Sequence, residues 1–199
     1  MVPNRPAKRR LSMELVVPAE SYLPGYVDAL GRGWSPDNLR PEASQEELAA
    51  IERDAPAFLA SLDDPGGLGE PIVLPDGARV PRLPGFQRWM WDGEFCGSIG
   101  FRWAPGTAAL PETCFGHIGY GVVPWKRGRG YASEALRQLM PHARTIGLPY
   151  VELTTRPDNV ASQRVILANG GVLIERFEAP RHHGAGAVLR FRIPLTTDG

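Results

Sequence analysis

The chain has 199 residues, 43% of them hydrophobic, and a formal net charge of zero. That length and apolar content suit one folded domain and exclude wholesale disorder, and the balanced charge supplies no field to draw the chain onto nucleic acid or an anionic membrane. No apolar run is long enough to span a bilayer and the basic start lacks the apolar segment of a secretion signal. The two cysteines, Cys96 and Cys114, make neither a disulfide framework nor a zinc pattern, so a cytoplasmic protein without metal is expected.

Residues 1–12 read as a flexible basic tail and residues 13–195 as a single domain, with Met13 an alternative natural start to Met1. Met13–Val17 reads as a first strand, and Ser21–Leu30 as a short helix with Pro24 in its first turn. Trp34, Pro36 and Pro41 mark a loop. Ser44-Gln45-Glu46-Glu47 has the form of a capping box, with Ser44 at the N-cap and Glu47 three residues on. The helix it opens carries Leu48, Ile51 and Ala55 along one side until Pro56 kinks or ends it. Residues 63–85 are rich in Pro, Gly and Asp and read as a loop or short hairpin beside the active site. Its carboxylates, Asp63, Asp64, Glu70 and Asp76, leave a polycationic acceptor open.

Phe86–Trp91 and Phe95–Trp103 read as two strands joined at Asp92-Gly93, a hairpin signal. Ile118–Val123 is a further strand that breaks at Pro124. The basic turn Lys126-Arg127-Gly128-Arg129-Gly130 leads into a helix from Tyr131, in which Pro141 predicts a kink or an early end. Val151–Thr155 reads as a strand, and Asn159–Asn169 as a helix closed by Gly170 or Gly171. Val172–Phe177 and Val188–Ile193 are the last strands, joined by a segment that holds His182 and His183.

The order strand, glycine turn, helix start suits a phosphate. Glycine lets the backbone approach, the first helical N–H groups are free, and the helix dipole favours negative charge. No Gly-Lys-Ser or Gly-Lys-Thr is present, so the turn is not a nucleotide P-loop, and it lacks the Gly-x-Gly-x-x-Gly of a dinucleotide fold. What stands there is Arg127-x-x-Gly130-x-Ala132. It resembles the Arg/Gln-x-x-Gly-x-Gly/Ala pyrophosphate signature of the GCN5-related N-acetyltransferase (GNAT) superfamily. Asp158-Asn159-Val160-Ala161-Ser162 and Asn169-Gly170-Gly171 are similar to the start and end of that family's next helix, and the likeness is dense from Trp89 to Phe177. His117-Ile118-Gly119-Tyr120-Gly121 with Asn169–Leu173 is similar to a bacterial group of predicted acetyltransferases with no settled acceptor.

The resemblance implies an α/β (α+β) fold. Its mixed, mostly antiparallel twisted sheet has six to seven strands, splays between the fourth and fifth, and is flanked by about four helices. It implies acetyl-CoA in the splay. The backbone at Val122 and Val123 would face pantetheine; Arg127, Gly128, Arg129, Gly130, Tyr131 and Ala132 would cradle the diphosphate; Asn159 and Ser162 would touch the pantetheine arm. Each position has a plainer reading beside this one: Val122 and Val123 as core, Arg129 as a solvated charge, Asn159 as an ordinary N-cap. The implied reaction is direct acetyl transfer to a primary amine of an unidentified acceptor, a small molecule rather than a protein. A homodimer is compatible with the family, and no residue specifies an interface. The alternative is a non-catalytic acyl-CoA-binding sensor.

Amine attack on a thioester needs a base, a polarised carbonyl and a proton for the thiolate. His117 lies six residues before Val123, so the two side chains share a strand face, and its imidazole titrates near neutrality. It is the candidate base, and a hydrogen-bonded structural histidine is the other reading. The backbone N–H near Val123 is the candidate for polarising the carbonyl. Many family members carry a thiolate-protonating tyrosine four residues after the Ser162 position, where this chain has Ile166. Tyr120, Tyr150 or water must then serve, although Tyr120 has the opposite parity to His117. Trp34, Phe86, Trp89, Trp91 and Trp103 either line an acceptor pocket or belong to the core.

Overall fold

The segment FCGSIGFR alternates so that Ile99 and Phe101 point to one side and Ser98 and Gly100 to the other, which suits a strand covered on both faces. In the computed structural model, which describes residues 13–38, 40–74, 77–179 and 186–195, it is an inner strand. The elements in order are β1 (Glu14–Val16), α1 (Leu23–Gly31), α2 (Ala43–Ser61), β2 (Asp63–Asp64), β3 (Ile72–Val73), β4 (Arg79–Val80), β5 (Gly85–Trp91), β6 (Phe95–Arg102) and β7 (Ile118–Val122). There follow a 3₁₀ turn (Pro124–Lys126), α3 (Tyr131–Thr145), β8 (Tyr150–Thr155), α4 (Val160–Ala168), β9 (Val172–Ala179) and β10 (Gly186–Pro194).

One sheet has the order β1-β5-β6-β7, with β2 also on β5; a second has the order β8-β10-β9; β3 and β4 form a separate hairpin. The ladders within them are antiparallel. β7 and β8 are the facing edges. They meet where His117 N–H donates to the Glu152 carbonyl at 2.8 Å and Glu152 N–H donates to His117 Nδ1 at 3.0 Å. Among the described residues no ladder joins them further along. Setting aside the two-residue strands, β7 and β8 are the fourth and fifth, so the expected splay is present.

Two cores form because the first sheet is covered on both faces. On one side Ile99, Phe101 and Ile118 pack with Leu136, Leu139 and Ala143 of α3, Ile166 of α4, and Leu153 and Phe191 of the second sheet. The spacing in α3 places those residues on one stripe of the helix. On the other side Tyr26, Leu30, Trp34, Phe58, Trp89, Phe95 and Val123 make the second core under α1 and α2. The aromatic set is therefore divided: Trp34 and Trp89 in one core, Phe86 and Trp103 against the other, Trp91 at the margin.

Four expectations are corrected. Ser44 is not an N-cap: α2 starts at Ala43, Ser44 Oγ donates to the Pro41 carbonyl at 2.9 Å, and Glu47 turns inward to accept the Tyr26 hydroxyl. Burial pushes the Glu47 carboxyl up to about 7. α3 runs through Pro141 to Thr145, because Leu139, Met140 and Ala143 keep it seated where one backbone bond is missing. The 63–85 segment docks through β2 on β5, two strands away from β7, so it does not adjoin the splay. Its carboxylates are engaged locally: Asp64 by the N–H groups of Leu68 and Gly69, Asp63 by Arg88, Glu70 by Arg79.

The bend before Pro56 and the Asn159 cap agree with expectation. α2 bends at Asp54, two residues before Pro56, where φ is −160° and ψ is 87°. Asn159 caps α4, with its Oδ1 accepting Ser162 N–H at 3.1 Å. Cys96 is buried and Cys114 half-buried, both as free thiols. Residues 1–12, Asp76, His182 and His183 lie outside the described residues. Among those described, no helix is long and apolar enough to cross a membrane and no cluster of His, Cys, Asp and Glu could hold a metal.

Candidate active site at the strand opening

β7 ends at Val122, and the chain reaches α3 through the 3₁₀ turn and two glycines in left-handed conformation, Gly128 (φ +74°) and Gly130 (φ +85°). An L side chain is strained at either position, so glycine is what permits the turn. Gly130 is the N-cap of α3 and has no side chain to satisfy the first helical N–H groups. Arg127, Gly128, Arg129 and Gly130 are exposed, Ala132 is half-buried, and Tyr131 is buried. The result is a backbone turn open to solvent, with two exposed arginines in it and the positive end of a fifteen-residue helix behind it. A diphosphate fits this chemistry.

Lys126 does not join the basic rim. Its side chain is 7% exposed and its ammonium bonds Asp92 of the β5–β6 turn at 2.5 Å, with Glu94 at 3.0 Å. The Tyr131 hydroxyl donates to the same Asp92 carboxylate. Partial burial works against the charged form of Asp92, but the bonds from Lys126 and Tyr131 outweigh it and hold the carboxyl down at about 2. This cluster fixes both ends of the glycine turn, and Lys126 compensates the charge of the Asp92 carboxylate beside it. Local sequence gave no sign of it. Asp92 reads as a turn residue, and its partners lie 34 and 39 residues away.

The backbone at the end of β7 is more specific than expected. Val123 N–H donates to the Cys96 carbonyl at 3.0 Å, so it faces β6 and cannot polarise a group in the opening. Backbone groups alternate along an edge strand. The outward carbonyls are those of Tyr120, which accepts from Asn38 Nδ2 at 3.2 Å, and Val122, which accepts from Arg127 Nε at 3.1 Å. Val122 packs on the first core and Val123 is buried in the second.

Tyr120 and Ser162 come together across the opening, with Tyr120 Oη 2.9 Å from Ser162 Oγ. Burial raises the Tyr120 pKa, and the Ser162 bond opposes that shift. Ile166, one turn further along α4, is fully buried in the first core. His117 sits at the closed end of the opening, separated from the glycine turn by β7 and the 3₁₀ turn. It is fully buried. Nδ1 accepts Glu152 N–H, which assigns the proton to Nε2; that atom is buried without a well-formed hydrogen bond, with the Ala108 backbone nearby. Desolvation lowers its pKa, against the attraction of Glu152. With its lone pair engaged by the Glu152 N–H, this imidazole joins β7 to β8.

The sequence profile of the acetyltransferase (GNAT) domain matches residues 34–172. None of the curated proteins matches the chain in sequence. Among solved structures, it superposes on RimL, the ribosomal L7/L12 alpha-N-protein acetyltransferase in complex with coenzyme A, with a TM-score of 0.62 and 18% identity over 92% of this chain and 94% of that one. The microcin C7 self-immunity acetyltransferase MccE, in complex with acetyl-CoA and AMP, gives 0.61 and 13% identity over 92% of each chain. YncA from Salmonella typhimurium, with its cofactor acetyl-CoA, gives 0.53 and 15% identity over 93% and 95%. With the profile spanning more than half its length and the sheet opening between β7 and β8, the chain belongs to the GNAT family of acetyltransferases.

Proposed function

We propose that this protein transfers the acetyl group of acetyl-CoA directly to a primary amine on an acceptor, a small molecule in preference to a protein, and that it does so in the cytoplasm. The single observation that carries the reading is the solvent-open glycine turn between β7 and α3, pinned by Lys126 and Tyr131 on Asp92. RimL, MccE and YncA, which share the fold, are described with coenzyme A or acetyl-CoA.

In this reading the N–H groups from Gly128 to Ala132 and the Arg127 and Arg129 side chains hold the diphosphate. Asn159 and Ser162 lie along the pantetheine arm. Acetyl-CoA supplies the thioester. The outward amide edge of β7 at Val122 replaces Val123 N–H as the polarising group. Tyr120 is the proton donor, since its hydroxyl already reaches α4 one turn before Ile166. His117 holds the closed end of the opening in register, and the acceptor's proton leaves through solvent.

The test is release of free coenzyme A thiol in the presence of a broad panel of primary amines. Turnover of at least one amine at a rate above acetyl-CoA hydrolysis supports the reading. Tight acetyl-CoA binding without turnover of any amine would favour the sensor instead.

A further inference from the structure

The Tyr120–Ser162 contact closes the α4 side of the opening. The opposite face of the same strand edge is lined by glycine. Gly119 and Gly121 of β7 point there, and Gly100 of β6 pairs directly with Gly119. A Cβ added at Gly121 would stand 3.6 Å from Asn38 Oδ1 and from Trp34 Nε1; one added at Gly119 would stand 3.5 Å from Arg102 Nη2. The strip is thus floored by backbone, bounded at one end by the α1–α2 loop and at the other by a guanidinium.

Across the opening, the second sheet presents charged side chains that are largely paired. Arg192 bonds Glu152 at 2.6 Å and lies over the Tyr150 ring, while Arg190 bonds Glu175 at 2.8 Å. Arg102 differs. It is exposed, and among the described residues no carboxylate lies within ion-pair reach of it. Among the described residues Arg102 is therefore a guanidinium without a carboxylate partner beside this strip. Arg102 pairs with His117 across the β6–β7 ladder, its backbone N–H donating to the His117 carbonyl at 2.9 Å, and Arg192 pairs with Glu152, the partner of His117, so both belong to the closed end of the opening.

We propose that the acceptor carries an anionic group close to its amine, a carboxylate or phosphoryl group, and that Arg102 grips it over the Gly119 floor. This rests on the acetyltransferase reading above. A guanidinium offers paired N–H donors to such an oxyanion, and the same charge disfavours polycationic amines. The glycine floor lets the acceptor backbone lie against the strand edge, with its amine directed along β7 toward Val122.

The experiment measures kcat/KM by thiol release for pairs of amines on the same carbon chain that differ in the anionic group: β-alanine against propylamine for the carboxylate, and O-phosphoethanolamine against ethanolamine for the phosphoryl group. The same pairs are run with Arg102→Ala and Arg102→Lys, and acetyl-CoA binding is followed separately by calorimetry. The native enzyme should prefer the anionic member of at least one pair by about tenfold or more, and Arg102→Ala should bring that ratio close to one, mainly through KM, with partial recovery in Arg102→Lys. Which pair responds distinguishes carboxylate from phosphoryl recognition. Equal use of both members, no turnover of either anionic amine while acetyl-CoA binds, or a preference that survives Arg102→Ala overturns the proposal. Failure of acetyl-CoA to bind would instead refute the acetyltransferase reading beneath it.

Discussion

Tyr120 illustrates how one side chain acquires a role from its neighbours. Parity along β7 sends it to the α3/α4 side, where Ser162 meets its hydroxyl and burial keeps it protonated. Tyr120→Phe should lower kcat by about ten- to a hundredfold while leaving acetyl-CoA affinity nearly unchanged, measured by thiol release and calorimetry. His117 obeys different physics. Its folded pKa lies below the ordinary 6.5, so the unfolded chain binds the proton more readily. Its stability contribution is complete above that value and is lost as pH falls through the folded pKa. Chemical denaturation from pH 8 down to 5 should show native stability falling on the acid side, and His117→Gln should flatten that slope. A catalytic base would also shift the acid limb of the kcat profile; for His117→Gln that limb should stay in place.

At the scale of elements, the β5–β6 hairpin reaches the glycine turn through Asp92. Lys126 is 7% exposed and Asp92 17%, so the pair is close to a buried one, and removing one partner strands an ammonium. Asp92→Asn should cost about 2–3 kcal/mol, less than a fully buried pair because Glu94 still reaches Lys126. Acetyl-CoA affinity should fall with it, as the glycine turn loses its anchor; urea denaturation and calorimetry measure the two effects. Most of the elements were legible locally. The Asp92-Gly93 turn, the Asn159 cap and the alternation of β6 each depend on residues a few positions apart. The capping box failed for a tertiary reason: Glu47 has the right spacing for Ser44, but the Tyr26 hydroxyl on α1 takes its carboxylate into the second core.

At the scale of the whole molecule, the two sheets are joined by α3, by the His117–Glu152 contacts and by the shared first core. A cosubstrate lodged between β7 and β8 binds only the folded chain and adds to its stability by mass action. At about a hundred times its Kd, acetyl-CoA should add about 2.7 kcal/mol, a rise of about 5–10 °C in Tm. Gly130→Glu puts a carboxylate in the cradle at a φ of +85° and should abolish that rise in a thermal scan.

The sequence alone determined the family, the order of the long elements and the place of the glycine turn, because strand alternation, helix caps and glycine conformations are set by neighbours along the chain. Tertiary structure decided the rest. The pairing of Lys126 with Asp92, the facing of Val123 N–H toward Cys96, the burial of His117, the reach of Tyr120 to Ser162 and the approach of Arg102 to Gly119 all join residues distant in sequence. Their chemistry follows from which groups lose water together, and only packing fixes that.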